Sequence, residues 1–251
     1  MSSNPDTVII IPVRMASTRL PGKPLADICG KPMFIHVVEQ AIKSKVADIY
    51  IACCEEEVAI TAKFYMQKAV LTNPKHISGT DRIYEALDFV DKAKRYKYII
   101  NLQGDLPNIE PKLIAKVLEV LKRNPKADIA TLCALIEDKP DEDNPNIVKP
   151  VITFHNRKGE VGRALYFTRS RVPYGEGPIY QHIGIYAYTR EALEKFVTLT
   201  PTYLETREKL EQLRAVENDM IVDIAIVTDT PIGVDTMEDL IKVREMLGHE
   251  E

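Results

Sequence analysis

The chain has 251 residues, 45% of them hydrophobic and 28% charged, with a formal net charge of −4. This length admits one large α/β domain or a domain with a smaller insertion, and the composition is that of an ordinary globular protein. The acidic balance argues against a nucleic-acid-binding face. No apolar run nears the length of a membrane span, and residues 1–7 lack a basic leader region, so a soluble cytoplasmic protein is expected. Cysteines stand at 29, 53, 54 and 133 without a CxxC or Cys/His cluster, which excludes a zinc finger or disulfide framework. Cys54, just past the apolar run 49–52, reads as a bystander thiol rather than a reactive one.

In chain order, the apolar run 8–11 bounded by Pro12 predicts a buried parallel strand. The loop after it carries Arg14, Ser17, Arg19 and Lys23, with Gly22 just before the lysine. A helix is predicted over 32–44, with Phe34, Val37, Val38, Ala41 and Ile42 on one face. A strand over 49–52, a helix over 55–68 and a short strand over 69–72 follow. Ser78-Gly-Thr-Asp-Arg82 opens a further helix reaching about residue 93. A strand over 98–102 ends at Gln103-Gly-Asp105, before a helix over 111–123 and a strand over 129–135. Such alternation predicts a parallel sheet with helices on both faces.

After residue 137 the pattern changes. A polar, proline-bearing connection over 139–146 precedes strand-like runs at 148–154, 164–168 and 183–188, with only loops between them. They predict an antiparallel or mixed insertion over about 139–203. The spacing then predicts an amphipathic helix over 204–218 and a strand over 221–227. A last helix opens near Asp235 or Thr236, either of which can cap it.

In open α/β sheets ligands sit beyond the carboxyl ends of the strands. Arg14, Arg19 and Lys23 on a flexible backbone suit a polyanion such as a triphosphate, although three cations also suit a solvated turn. The loop is not a Walker motif, because Pro24 stands where that motif needs a hydroxyl. Asp105 and Asp235 each lie at a strand end, where magnesium on a triphosphate would sit; singly they read as a turn residue and a helix cap. Two such aspartates with a basic loop make the minimal set for nucleotidyl transfer. Ser78 or Thr80 can cap the next helix, or that helix terminus can receive polar ligand atoms. Arg169, Arg171, Gln181, His182 and Tyr186 suit a polyol bearing a carboxylate, or simply a strand rim. Glu211 and Gln212 are hydrogen-bonding groups on a stretch that otherwise reads as core helix.

Seven segments occur together in one order: Ile-Pro-Val-Arg-Met-Ala-Ser-Thr-Arg-Leu-Pro-Gly-Lys-Pro-Leu at 11–25, Ser-Gly-Thr-Asp-Arg at 78–82, Asn-Leu-Gln-Gly-Asp at 101–105, Ala-Leu-Tyr-Phe-Thr-Arg at 164–169, His-Ile-Gly-Ile-Tyr-Ala-Tyr at 182–188, Leu-Glu-Gln-Leu-Arg at 210–214 and Gly-Val-Asp-Thr at 233–236. In these segments the chain resembles the 3-deoxy-manno-octulosonate cytidylyltransferases. The resemblance implies a three-layer, Rossmann-like nucleotidyltransferase fold of the glycosyltransferase-A type, with a mixed, mainly parallel sheet. It implies a single domain over 1–251, the insertion contributing to the sugar site and to contact in a homodimer. It further implies that CTP and an acidic eight-carbon sugar give the CMP-sugar and pyrophosphate, for lipopolysaccharide synthesis. Arg14 and Lys23 would hold the triphosphate, with Ser17 and Arg19 in the same loop, and Asp105 and Asp235 would hold Mg²⁺. Ser78, Arg82 and Gln103 would lie near the nucleotide, and Arg169, His182, Tyr186, Glu211 and Gln212 near the sugar.

The chain departs from the family pattern at three places. Leu106 stands where an acidic residue usually follows Gln-Gly-Asp, and Cys53-Cys54 replace a strand-end Thr-Asp. The short segment 174–181 ends in Pro-Ile-Tyr-Gln before His182, similar to the branch that activates the 8-amino analogue of the sugar. Loss of the acid and of the Thr-Asp also leaves open a non-catalytic nucleotide-binding homologue.

Overall fold

A computed structural model of the chain describes residues 6–17, 19–154 and 159–248. Its contacts divide into two units, one taking the chain up to Ala115 and again from Pro231, the other spanning Lys116–Thr230. Among the described residues no helix is long and apolar enough to cross a membrane.

The first unit begins with β1 (Thr7–Val13), a 3-10 turn (Lys23–Leu25) and the two-residue strands β2 (Asp27–Ile28) and β3 (Lys31–Pro32). Then come α1 (Met33–Ser44), β4 (Asp48–Cys53), α2 (Glu56–Phe64), β5 (Ala69–Leu71), α3 (Gly79–Val90), β6 (Tyr98–Leu102) and α4 (Pro111–Arg123), within which the chain passes into the second unit. Four strands lie in the order β5-β4-β1-β6, all parallel. β1 has a neighbour on each side and α1 and α3 packed against it, which is why Val8 to Ile11 are all aliphatic and fully buried. The strand runs on through Pro12, where the sequence predicts a stop. Its pairing with β6 ends at Ile10, so Pro12 faces a single partner, Ala52 of β4, where a missing donor is tolerated.

Helix ends differ from the periodicity in instructive ways. α2 stops at Phe64 rather than 68, because Tyr65 to Gln67 fold into a turn with Met66 at a φ of 57°. α3 ends at Val90 rather than 93, where the Asp91 carboxylate accepts from the Arg95 and Tyr96 amides. Its cap is Ser78, not Thr80: the Ser78 hydroxyl accepts from the Asp81 amide at 3.0 Å.

The second unit carries β7 (Ile129–Leu135), α5 (Lys139–Glu142), β8 (Lys149–Phe154), β9 (Val161–Thr168), β10 (Tyr180–Thr189), α6 (Arg190–Thr198), α7 (Tyr203–Glu208), α8 (Leu213–Glu217) and β11 (Val222–Val227). Its strands lie in the order β10-β7-β11-β9-β8; β7 and β11 are parallel and the other pairs antiparallel. α5, a single turn, lies in the stretch expected to be a bare connection, and α6 is a helix the sequence reading passes over. Thr189 caps α6 by accepting from the Ala192 amide at 3.1 Å.

The helix expected over 204–218 is two helices. Lys209 turns left-handed at a φ of 57° and sends Leu210 into the core. Arg214 of α8 donates to Glu205 of α7 through Nε (2.9 Å) and Nη2 (2.5 Å), and its guanidinium lies 4.8 Å from the Phe196 ring centroid. Glu211 and Gln212 therefore occupy the break between α7 and α8 rather than a helix face.

Back in the first unit, α9 (Met237–Gly248) is capped by Thr236, whose hydroxyl accepts from the Asp239 amide at 3.2 Å and donates to its carboxylate at 2.8 Å. Leu240 and Val243 of α9, with Val234, pack on Leu20, Ile28 and Met33. Folding thus draws the chain's last segment onto the loop that follows β1.

Gly162 in β9 has no room for a side chain, since a Cβ there would press on the Thr153 carbonyl oxygen of β8 and on Ile152. Gly162→Ala is expected to lower stability by about 1–3 kcal/mol, read as a lower midpoint in denaturant. An unchanged midpoint would contradict this packing.

Candidate active site

The first unit contains a cleft of about 380 Å³ at the carboxyl ends of β1 and β6. Its lining includes Arg14, Ser17, Arg19 and Lys23 from the loop after β1, Ser78 and Arg82 from the start of α3, Gln103 and Asp105 from the end of β6, and Asp235 before α9. All nine are residues that the sequence singles out. The parallel sheet explains the gathering: strand ends point the same way, so their loops share one rim.

At the centre is Lys23. Gly22 adopts a left-handed φ of 70°, and the 3-10 turn beyond it points the lysine inward. Lys23 Nζ donates to Asp105 Oδ2 at 2.7 Å and to Asp235 Oδ1 at 3.0 Å, while Arg19 meets Asp235 Oδ2 at 3.0 Å. Burial alone would lower the Lys23 ammonium; the two carboxylates outweigh it and hold its pKa above the ordinary 10.5. Its third N–H remains for a further acceptor. The two aspartates therefore face one cationic centre, and such a pair is the donor set magnesium takes when phosphates and water complete its shell. Among the described residues no group of three or more His, Cys, Asp or Glu is placed to hold a metal by itself.

The surrounding contacts hold this cluster in place. The Val234 amide donates to the Asp105 carbonyl at 3.0 Å, joining the two aspartate loops. Leu106 is buried at the same junction, and a Cβ on Gly233 would lie 3.8 Å from its Cδ2. The leucine thus packs beside the Asp235 loop. Gly104 passes close to β1, a Cβ there falling 3.0 Å from the Pro12 carbonyl oxygen.

Other predicted residues are partly committed. The Ser78 hydroxyl serves its cap and donates to Asp81 Oδ2 at 2.9 Å. Gln103 Nε2 donates to Asn101 Oδ1 at 2.9 Å, which fixes the amide and turns its oxygen toward Gly79. Arg82, almost wholly buried, donates to Thr72 Oγ1 at 2.6 Å. One contributor, Glu55, escapes the sequence reading, and His76 belongs to the segment 76–82 that it singles out. Glu55, just after β4, accepts the Met15 amide at 3.1 Å and so anchors the cationic loop. His76, in the cleft lining, is paired with Glu85, whose carboxyl burial would raise but the Asn73 amide and His76 hold below its usual value. Burial pushes the Cys53 thiol up to about 11, and burial and Glu55 raise that of Cys54, so neither is a thiolate at neutral pH.

The residues expected to recognise a sugar all lie in the second unit. Arg169 spends two donors on carbonyls, Nε on Glu208 (3.0 Å) and Nη1 on Pro145 (2.9 Å). His182 and Tyr186 sit together on β10 with ring centroids 5.4 Å apart. Desolvation pushes the His182 imidazole down to about 3 and the Tyr186 phenol well above its ordinary value, so both are neutral. Gln212 is buried and Glu211 half-buried in the break before α8.

Because the folded Lys23 pKa exceeds the unfolded one, its contribution is complete below pH 10.5 and is lost as pH rises through the raised value. Asp235 is half-exposed, so the contribution is of the order of 1 kcal/mol after screening. The stability advantage of the wild type over Lys23→Met should be constant near neutrality and shrink in the strongly alkaline range; a pH-independent difference would refute this.

Residues 8–224 match the model of the cytidylyltransferase family. The chain is 50% identical to a 3-deoxy-manno-octulosonate cytidylyltransferase of Parvibaculum lavamentivorans, covering 96% of this chain and 92% of that protein. It is 52% identical to one of Bartonella henselae, covering 97% and 99%. A solved structure of CMP:2-keto-3-deoxy-manno-octonic acid synthetase complexed with CTP superposes with a TM-score of 0.89 at 38% identity, over 98% of this chain and 99% of that one. The chain belongs to the 3-deoxy-manno-octulosonate cytidylyltransferase family and shares its α/β fold.

Proposed function

We propose that the chain activates 3-deoxy-manno-octulosonate with CTP, giving the CMP-sugar and pyrophosphate, in the cytoplasm and for lipopolysaccharide synthesis. The observation that carries this reading is the convergence of Lys23, Arg19, Asp105 and Asp235 in one cleft at the strand ends. Near-full-length identity of about half to relatives named for this reaction supports it.

The anomeric hydroxyl attacks the α-phosphorus in line. A sugar O–P bond forms as the bond to the pyrophosphate oxygen breaks, and the hydroxyl proton passes to solvent. This chemistry calls for positioning and charge neutralisation rather than a covalent intermediate. Arg14, Ser17, Arg19 and the spare N–H of Lys23 bind the phosphates. Ser78, Arg82 and Gln103 orient the nucleoside end, the Gln103 oxygen as an acceptor. Asp105 and Asp235 would hold Mg²⁺, which neutralises phosphate charge when bound. Arg169, His182, Tyr186, Glu211 and Gln212 take the acid sugar. The chain works as a homodimer, its strand-rich part making the contact, which sedimentation would test.

Pyrophosphate release from CTP with Mg²⁺, measured with the octulosonate, with its 8-amino analogue and without sugar, tests the reaction. Release with the octulosonate is expected; preference for the amino sugar would follow the signal in residues 178–182 instead. Release with neither, in a folded protein that binds CTP, would refute catalysis. Asp105→Asn and Asp235→Asn should each cut kcat/KM by about 100-fold or more while the protein stays folded. Near-normal turnover in both would remove the two-aspartate mechanism.

A further inference from the structure

In the second unit a buried hydroxyl, that of Thr131, lies against the His182 ring. Pairing between β10 and β7 is irregular: Ile183 opposes Leu132 and Tyr186 opposes Thr131, so Gly184 and Ile185 fall outside the register. Thr131, wholly buried, fills this break. Its Oγ1 lies 2.8 Å from the Ile185 carbonyl oxygen, 3.3 Å from that of Ile183 and 2.8 Å from His182 Nε2.

A threonine hydroxyl has one proton and two lone pairs, and a carbonyl can only accept. If the proton went to His182, the carbonyl of Ile185 would lose its hydroxyl donor inside the protein, a loss of about 1–3 kcal/mol. The proton therefore goes to the carbonyl of Ile185, and Oγ1 accepts from Nε2. The ring is neutral, held so by desolvation, with Phe167 and Tyr186 against it at 5.1 and 5.4 Å between centroids. A neutral imidazole protonated on Nε2 carries its lone pair on Nδ1.

We propose that Thr131 is a positioning residue: it fixes His182 as the Nε2–H tautomer, so that Nδ1 accepts a hydrogen bond from a hydroxyl of the acid sugar. This rests on the reading of His182 as a sugar-binding residue. The other tautomer, or an imidazolium, would offer a donor at Nδ1, and the hydroxyl would then have to turn and accept, giving up the orientation in which it donates. Sugar recognition at this point is therefore set by a residue that never touches the sugar.

The test uses the full chain labelled with ¹⁵N in histidine, the His182 signals being assigned by their absence in His182→Asn. The wild type should show a protonated Nε2 and an unprotonated Nδ1. Thr131→Val should mix the tautomers and raise KM for the sugar about tenfold, the value of one hydrogen bond, while KM for CTP stays within about twofold. Thr131→Ser should restore both the spectrum and the KM. A wild-type spectrum with the proton on Nδ1 would overturn the proposal whether or not the valine variant folds. So would a valine variant with an unchanged spectrum and sugar KM. If the wild type shows the expected tautomer but His182→Asn leaves the sugar KM unchanged, His182's place in sugar binding fails instead, and the tautomer assignment stands.

Discussion

One ammonium held between two carboxylates is the interaction on which the first unit's site depends. Asp105 and Asp235 are 130 residues apart in sequence, and without a cation between them they would repel one another at a rim partly open to water. Lys23 makes their approach favourable. The apolar cluster of Leu20, Ile28 and Met33 with Val234, Leu240 and Val243 provides the packing that brings the segments together. Neither part suffices alone: ion pairs this exposed contribute little by themselves, and the apolar cluster does not orient a carboxylate. The same arrangement keeps Asp105 and Asp235 in one cleft with Arg14, Arg19, Lys23 and Arg82, where a phosphate chain would bring more negative charge.

The site's surroundings are built from close approaches of backbone. Gly104 lets the β6 loop pass the Pro12 carbonyl, and the Val234 amide ties the Asp235 loop to Asp105. Leu106 belongs with these. A departure from the family pattern that invites doubt about catalysis is, in its place, an apolar contact between the two aspartate loops. Positions rather than charges are what it supplies, and the reaction asks for positions.

Much of the first unit was legible because parallel strands buried on both faces read as unbroken aliphatic runs, and their ends carry the site. Strands β6 and β7 and helix α4 lie at the residues expected. Two of the errors, the length of α2 and the break between α7 and α8, share a cause. Hydrophobic period detects a face but not a left-handed residue that interrupts it, and Met66 and Lys209 are such residues without being glycine. Lys209 was invisible for a further reason: the break it makes is held by the Arg214–Glu205 pair, a contact across nine residues that no local pattern encodes. Glu55 and Thr131 escaped for the opposite reason. Each acts through a backbone group of a distant segment, and only the fold brings that group near.

The two units also use charge differently. In the first, cations and carboxylates face a cleft. In the second, Glu205, Glu208, Arg169 and Arg214 are largely occupied with backbone and with each other, and the other groups proposed for recognition are the neutral rings of His182 and Tyr186, the Gln212 amide and the Glu211 carboxylate. Two neutral rings offer direction of hydrogen bonding rather than net charge, so on the proposed reading the position of the His182 proton matters. The irregularity in β10 is what makes that direction fixed. It brings the Ile185 carbonyl within 2.8 Å of the Thr131 hydroxyl, which gives that proton an acceptor other than His182. A local defect in sheet pairing thus supplies a definite donor and acceptor order at the residue beside it.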